Sequence, residues 1–148
     1  MDETVRIITM RLTCKNIGTW GIFEVEGTVD SIHTRVFIDS LAEYATGGRK
    51  NIIIDLTKAP FLSIGAIRYL NQLSQYLDGA SGRLALLGPN DRIRRHIDIF
   101  VSWKKLKEIN SLWEVIPLQM ANKYNDIDII VLAESNPTSQ VPIPPEQN

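Results

Sequence analysis

A short apolar strand followed by a long amphipathic helix constrains the fold of this chain most. Asn51–Asp55 contains three consecutive isoleucines, a β-branched run that suits a strand covered on both faces. Apolar residues then recur at intervals of three and four, as on one face of a helix: Ile64, Ile67, Leu70, Leu73 and Leu77. Arg83–Gly88 is another strand of the buried type. Two such strands joined by a helix predict an α/β layer fold with parallel neighbours in the sheet.

The flanking segments extend this pattern in both directions. Residues 5–27 alternate as two strands around a turn at 16–18, and residues 32–46 have helical spacing that ends at Gly47-Gly48. A third helix, capped by Asn90 or Asp91, is predicted to run through Phe100. The sequence thus predicts an opening hairpin followed by alternating helices and strands.

The C-terminal part of the pattern is less regular. A short strand is predicted at 106–109, and the serine-to-glutamate spacing of Ser111 and Glu114 predicts a fourth helix that Pro117 kinks or breaks. One more strand is predicted at 126–133. Because an open apolar edge invites association, this strand is expected to pair with the domain's own sheet, with a second copy in a homodimer, or with another protein.

Composition favours one cytoplasmic domain over residues 1–134, followed by a proline-rich tail at 135–148. The chain has 148 residues, 44% of them hydrophobic, and a net charge of −1. No apolar run approaches the roughly 20 residues that cross a bilayer, and the single cysteine, Cys14, has no intramolecular disulfide partner. The tail, which contains Pro142-Ile143-Pro144-Pro145, is expected to be disordered or extended.

Motifs for catalysis, metal binding and nucleic-acid binding are missing from the sequence. His33 and His96 have no metal-ligand spacing, and there is no Walker-type loop or G-x-G-x-x-G run. Asp30, His33, Asp55 and Ser63 are expected at one end of the sheet, but no serine lies in a nucleophile elbow. A basic stretch at 92–107 lacks the net positive charge of a nucleic-acid protein. We therefore expect no enzyme activity, metal, cofactor or nucleic-acid partner.

Three segments of the chain resemble the STAS domain family, the fold of anti-sigma-factor antagonists. Residues 26–30 with Thr34 resemble the family pattern S-G-x-L-D…T, and residues 92–97 resemble x-V-R-R-x-L. Residues 55–68 align without gaps to D-L-S-x-V-x-F-I-D-S-S/A-G-L-R. The resemblance covers roughly residues 5–116. It implies a mixed, mainly parallel sheet of four to five strands with about four helices, to which the strand at 126–133 would be an addition.

The resemblance also implies a function. Family members include substrates of anti-sigma serine kinases, stressosome subunits and appendages of transporters. In the signalling branch, a serine just after the family aspartate is phosphorylated, and this controls docking onto the kinase. Here Ser63 aligns with that aspartate and Ile64 with the phospho-acceptor, and Gly65-Ala66 reverses the usual order of the next two residues. Isoleucine has no hydroxyl and cannot be phosphorylated, so the usual phospho-acceptor serine of the family is lacking at this position.

We therefore expect a non-catalytic signalling module that binds an anti-sigma factor, a serine kinase or another STAS-containing protein. The expected contact residues are Asp30, Thr57, Phe61, Leu62, Ser63, Ile64 and Gly65. Phe61, Leu62 and Ile64 are expected to pack in the core or, if exposed, to form an apolar patch, and the analogy with the family's acceptor position singles out Ile64 as the one to lie at the surface. Ser63 is expected to cap the following helix, and Ser63 and Thr57 are the candidate phosphorylation positions. The alternative is a module that binds an anion, nucleotide or other small ligand at the helix N-terminus beside Ser63.

Overall fold

The computed structural model describes residues 10–101, 106–118 and 129–135, the last segment by its backbone. The strands are β1 Met10–Ile17, β2 Trp20–Gly27, β3 Asn51–Lys58, β4 Arg83–Leu87, β5 Lys107–Ile109 and β6 Ile129–Ser135. The helices are α1 Thr34–Thr46, α2 Ile64–Gly79, α3 Asp91–Phe100 and a short 3₁₀ helix at Leu112–Glu114. These elements confirm the predicted α/β class.

The strands form one mixed sheet in the order β5-β4-β3-β2-β1-β6. β2, β3, β4 and β5 are parallel neighbours, whereas β1 is antiparallel to both β2 and β6. β1 and β2 form a tight hairpin in which Ile17 pairs with Trp20, and Gly18 takes the positive φ of 60° that this turn requires. The extra C-terminal strand thus pairs with the domain's own sheet.

The two faces of the sheet have separate hydrophobic cores. The larger core joins one face of the sheet to α1, α2 and α3, and its helical members include Phe37, Leu41, Ile67, Leu70 and Ile93. On the opposite face, residues from 109–116 pack on Trp20, Ile22 and Ile53. Because β3 is covered on both faces, its continuous isoleucine run is explained by burial.

The structure corrects the prediction of a fourth α-helix at Ser111. The Ser111 hydroxyl accepts a hydrogen bond from the Trp113 N–H, and the Glu114 carboxylate accepts one from the Asn110 N–H. Ser111 is therefore the N-cap, but the donors are not those of a capping box, and the helix is a 3₁₀ turn of three residues. Pro117 lacks a backbone N–H, so an α-helix could not continue through it with full hydrogen bonding.

Several element boundaries also differ from the prediction. β3 continues to Lys58, three residues beyond the predicted end, and β6 continues to Ser135, two residues beyond the predicted end. Residues 126–128 of the predicted last strand lie outside the described residues. Residues 5–9 of the predicted first strand, and residues 136–148 of the predicted tail, lie outside the described residues.

Candidate functional site

Two loops lie side by side where β2 and β3 end. Val29 and Leu62 form an isolated parallel bridge. The Val29 N–H donates to the carbonyl of Phe61 at 3.1 Å, and the Ser63 N–H donates to the carbonyl of Val29 at 2.7 Å. We call residues 28–33 and 59–63 the paired loops. Because α1 and α2 start immediately after them, the pairing brings the N-termini of both helices together.

Ser63 is the N-cap of α2, as predicted from the sequence. Its Oγ accepts a hydrogen bond from the Ala66 N–H at 3.1 Å. Thr34 Oγ1 donates to the carbonyl of Asp30 at 2.7 Å and lies 2.5 Å from Ser63 Oγ. Since Thr34 has one hydroxyl proton and directs it to Asp30, Ser63 must be the donor to Thr34. The Ser63 hydroxyl is therefore engaged both as a donor and as an acceptor.

Gly65 makes room for this contact. A methyl group at its Cα would lie 3.2 Å from Cγ2 of Thr34 and 4.0 Å from Oγ of Ser63. The first distance is tighter than an ordinary van der Waals contact. The small residue therefore allows Thr34 to approach the α2 N-cap closely. Ala66, at the next position, is fully buried in the larger core.

Asp30 organises the other paired loop. Its Oδ1 accepts hydrogen bonds from the N–H groups of Ile32 at 3.0 Å and His33 at 3.1 Å. The buried imidazole of His33 also has Nδ1 2.8 Å from that oxygen. Partial burial of Asp30 favours its neutral form, but the hydrogen bonds from His33 and the nearby imidazole outweigh this effect and lower its pKa. Asp30 thus fixes the turn that leads into α1.

Thr57 lies on the neighbouring loop at the end of β3. The Asp55 carboxylate accepts hydrogen bonds from the Thr57 N–H at 3.0 Å and from its hydroxyl at 2.6 Å. The Thr57 methyl lies over Gly88, where an added Cβ would be only 2.7 Å from it. Phosphorylation of Thr57 or Ser63 stays a prediction, but both hydroxyls are already hydrogen-bonded within the fold.

Exposed apolar side chains border the paired loops. Ile64, the first residue of α2, is 41% exposed, whereas the neighbouring Leu62 is completely buried. Ile32 in the first paired loop is 68% exposed, and Val36 in the first turn of α1 is 38% exposed. We call Ile32, Val36 and Ile64 the apolar patch. Leu62 belongs to the larger core and is not part of this surface.

Phe61 connects the second paired loop to α3. The guanidinium carbon of Arg92 lies 4.6 Å from the centroid of the Phe61 ring, and the His96 ring meets Phe61 edge to face at 5.6 Å. His96 also lies beside Phe100, over which Arg68 of α2 is placed at 5.9 Å. The guanidinium groups of Arg68 on α2 and Arg92 on α3 are therefore each placed over an aromatic ring.

A polar groove lies between the ends of β3 and β4. It has a volume of about 350 Å³ and is lined by Leu56, Thr57, Lys58, Ala59, Pro60, Gly88 and Asn90. Both ends of the Asn90 carboxamide are hydrogen-bonded there, since it donates to the carbonyl of Pro60 and accepts from the Ile93 N–H as the cap of α3. The carboxyl ends of strands in open α/β sheets commonly bind ligands, so this groove is the natural place for one.

Most of the predicted contact residues lie at the same end of the sheet, but they have different roles. Asp30, Ser63 and Gly65 build the paired helix N-termini, Ile64 lies at the surface, and Thr57 belongs to the adjacent groove. Sequence reasoning missed Ile32 and Val36. The available signal was that both are apolar residues outside the predicted apolar stripe of the first helix. Among the described residues, no group of three His, Cys, Asp or Glu side chains could hold a metal ion.

Comparison with known proteins identifies the family and the fold. A family model described as "STAS domain" matches residues 11–109. No curated protein sequence matches the chain. In the part of the chain that the structure describes, no helix is long and apolar enough to cross a membrane.

Several solved structures share the fold at low sequence identity. An anti-sigma factor antagonist from Mycobacterium paratuberculosis has a TM-score of 0.61 at 16% identity, covering 81% of this chain and 96% of that one. A variant of RsbS from Moorella thermoacetica has a TM-score of 0.57 at 15% identity, covering 81% and 97%. Phosphorylated SpoIIAA, a Bacillus cell fate determinant, has a TM-score of 0.53 at 12% identity, covering 78% and 98%.

Proposed function

Because the chain belongs to the STAS domain family, we propose that it is a non-catalytic protein-binding module of the anti-sigma-factor-antagonist or stressosome type. Its partner would be an anti-sigma factor of the serine-kinase kind or another STAS-containing protein. The contact surface would be the apolar patch together with Phe61 and the exposed part of the Thr57 loop. Ser63, Gly65, Leu62 and Asp30 would hold this surface in shape.

The observation that carries this proposal is the position of Ile64. It is the first residue of α2 and is 41% exposed. In the motif that residues 55–68 resemble, the phosphorylated serine aligns with this position. Isoleucine adds apolar area to a contact surface and cannot accept a phosphate. This protein would therefore remain in a state like the unphosphorylated form of its relatives. Regulation would then lie in its abundance or in the partner.

The proposal is tested by introducing a negative charge into the patch. Ile64→Asp adds a charge that must be desolvated on docking, so partner affinity should fall. Ile99→Asp is the matched control, because Ile99 is 67% exposed on α3, outside the patch. Tagged wild-type, Ile64→Asp and Ile99→Asp chains would be used to purify partners from the native cells, with quantification by mass spectrometry.

The expected result is an anti-sigma kinase or a STAS-containing complex that co-purifies with the wild-type and Ile99→Asp chains and is depleted with Ile64→Asp. Equal recovery by all three chains would contradict a contact through the patch. Recovery of no protein of either class would contradict the proposed type of partner.

The alternative function is binding of a nucleotide, anion or other small ligand. For such a ligand, the groove beside Thr57 is a better candidate site than the helix N-terminus at Ser63, whose hydroxyl is already hydrogen-bonded. The groove's volume of about 350 Å³ suits a small molecule, but its one cation, Lys58, lies 4.0 Å from Glu24. Calorimetric titration with ATP, GTP and inorganic phosphate separates the two functions. Saturable heat that a Lys58→Ala variant loses would favour ligand binding, whereas the docking proposal expects none.

A further inference from the structure

A second apolar surface lies on the opposite half of the helical layer, away from the paired loops. It is a groove between the C-terminal half of α1 and the middle of α2, with a volume of about 170 Å³. Its lining residues are Ala42, Ala45, Thr46, Tyr69, Leu73 and Tyr76. We call it the tyrosine groove. Tyr76 is 56% exposed, so its ring is accessible at the edge of this groove.

We propose that the tyrosine groove binds the proline-rich tail of the same chain, with Pro142 and Pro145 packed on the rings of Tyr69 and Tyr76. Grooves lined by aromatic side chains are the usual receptors of proline-rich segments, because such segments are already extended and lose little entropy on binding. The tail, residues 136–148, lies outside the described residues.

The spacing of the two prolines matches that of the two tyrosines. Tyr69 and Tyr76 are seven residues apart on α2, so they project from nearly the same side of the helix, about 10.5 Å apart along its axis. A polyproline II segment has three residues per turn and a rise of 3.1 Å, so a tail bound in that conformation would present Pro142 and Pro145 on one face about 9.3 Å apart. Each proline ring can therefore meet one tyrosine ring.

The tail is also long enough to reach the groove within one molecule. β6 ends at Ser135 opposite Met10, at the end of the sheet where α1 begins, and β6 lies next to α1. The groove residues on α1 follow Thr34 by eight to twelve positions, or roughly 12–18 Å along the helix. The seven residues from Ser135 to Pro142 span about 22 Å when extended as polyproline II. The extended tail is therefore a few ångströms longer than the distance along α1, which lets it also cross over that helix.

Paramagnetic relaxation in the full-length protein tests this contact. A spin label on Gln147→Cys places an unpaired electron two residues beyond Pro145. The native Cys14 need not be removed, because it is buried and burial raises the pKa of its thiol to about 11. We expect selective broadening of the amide signals of Ala42, Thr46, Leu73 and Tyr76, relative to residues on the opposite face of the sheet.

Two variants must abolish the broadening. Pro142→Ala/Pro145→Ala removes the two proline rings proposed to contact the groove without changing the domain, and Tyr76→Ala removes the exposed ring from the groove. Gln75→Ala is the matched control, because Gln75 faces a separate groove lined by Arg83 and Lys107 and should leave the broadening unchanged.

Absence of broadening at the groove, or broadening that survives the double proline change, would overturn the proposal. Molecules that carry the label without isotope would also be mixed with isotope-labelled, spin-free molecules. Broadening in that mixture would show that the tail of one molecule occupies the groove of another, which would contradict binding within one chain.

Discussion

Thr34 Oγ1 and Ser63 Oγ are 2.5 Å apart, and this hydrogen bond joins the first turn of α1 to the N-cap of α2. In the family motif that residues 55–68 resemble, an aspartate aligns with Ser63. An aspartate is also a good N-cap, but it has no proton to donate when ionised. In this chain the link is therefore made by two hydroxyls and carries no charge, directly beneath the exposed Ile64.

Removing the Ser63 hydroxyl should destabilise the domain. Ser63→Ala loses the N-cap of α2 and the bond to Thr34, so we expect the free energy of unfolding to fall by about 1–2 kcal/mol. Urea denaturation monitored by circular dichroism measures the change. Ser63→Asp should recover most of this stability, because a carboxylate also caps the helix. Ser74→Ala in the middle of α2 is the control, with an expected change within about 0.5 kcal/mol.

Two nearby glycines should respond in opposite directions to alanine. At Gly82 an added Cβ would lie 2.1 Å from the backbone oxygen of Lys50, so Gly82→Ala must displace the start of β3 or β4 and should cost about 1–3 kcal/mol. At Gly79, the last residue of α2, no atom beyond the adjoining residues and the backbone of its own helix lies within 4 Å of the added Cβ, so Gly79→Ala should stabilise by about 0.5 kcal/mol. Thermal unfolding of both variants checks the signs. Two shifts in the same direction would contradict the packing described here.

The stability contributed by Asp30 should depend on pH. Because the hydrogen bonds and the His33 imidazole lower the pKa of Asp30 in the folded state, its contribution is fully present above the unfolded value of about 4 and is lost as the pH falls through the lower folded value. The stability difference between wild type and Asp30→Asn should therefore shrink on acidification below about pH 4. Urea titrations at a series of pH values test this, with Asp78→Asn as the control for loss of a carboxylate elsewhere. A difference that grows with acid would contradict the assignment.

Cys14 should be inert in the folded protein. It is buried in β1, and burial raises the pKa of its thiol to about 11, so little thiolate forms at neutral pH. Iodoacetamide at pH 8 should modify the native chain far more slowly than the chain in urea, as followed by intact mass. Comparable rates in both states would show that the hairpin opens readily.

The sequence was informative wherever the signal is local. The isoleucine run at 52–54 and the three-and-four spacing of α2 predicted their elements because burial imposes those periods on adjacent residues. The caps Ser63 and Asn90 were also predictable, since capping depends on residue type at a helix start. The exposure of Ile64 agreed with its position as the first helical residue.

Features that depend on tertiary contacts could not be predicted. Nothing near Thr34 in the sequence indicates that it meets a residue 29 positions away. Leu62 lies between the exposed Ile64 and the half-buried Phe61, and its complete burial follows from the bridge to Val29. The prediction of a fourth α-helix was wrong because too few residues lie between its capping signal and Pro117 to complete an α-helix.

The place of β6 in the sheet has a consequence for how the protein is made. β1 is paired on one side by the strand that follows it and on the other by a strand near the other end of the sequence. During synthesis on the ribosome, β1 can pair with β2 early. Its pairing with β6 must wait until residue 135 has emerged. Such a late, long-range pairing is entropically costly to close and forms slowly. Until then β1 is an unpaired edge strand that can associate with other chains, and pairing with β6 removes this risk.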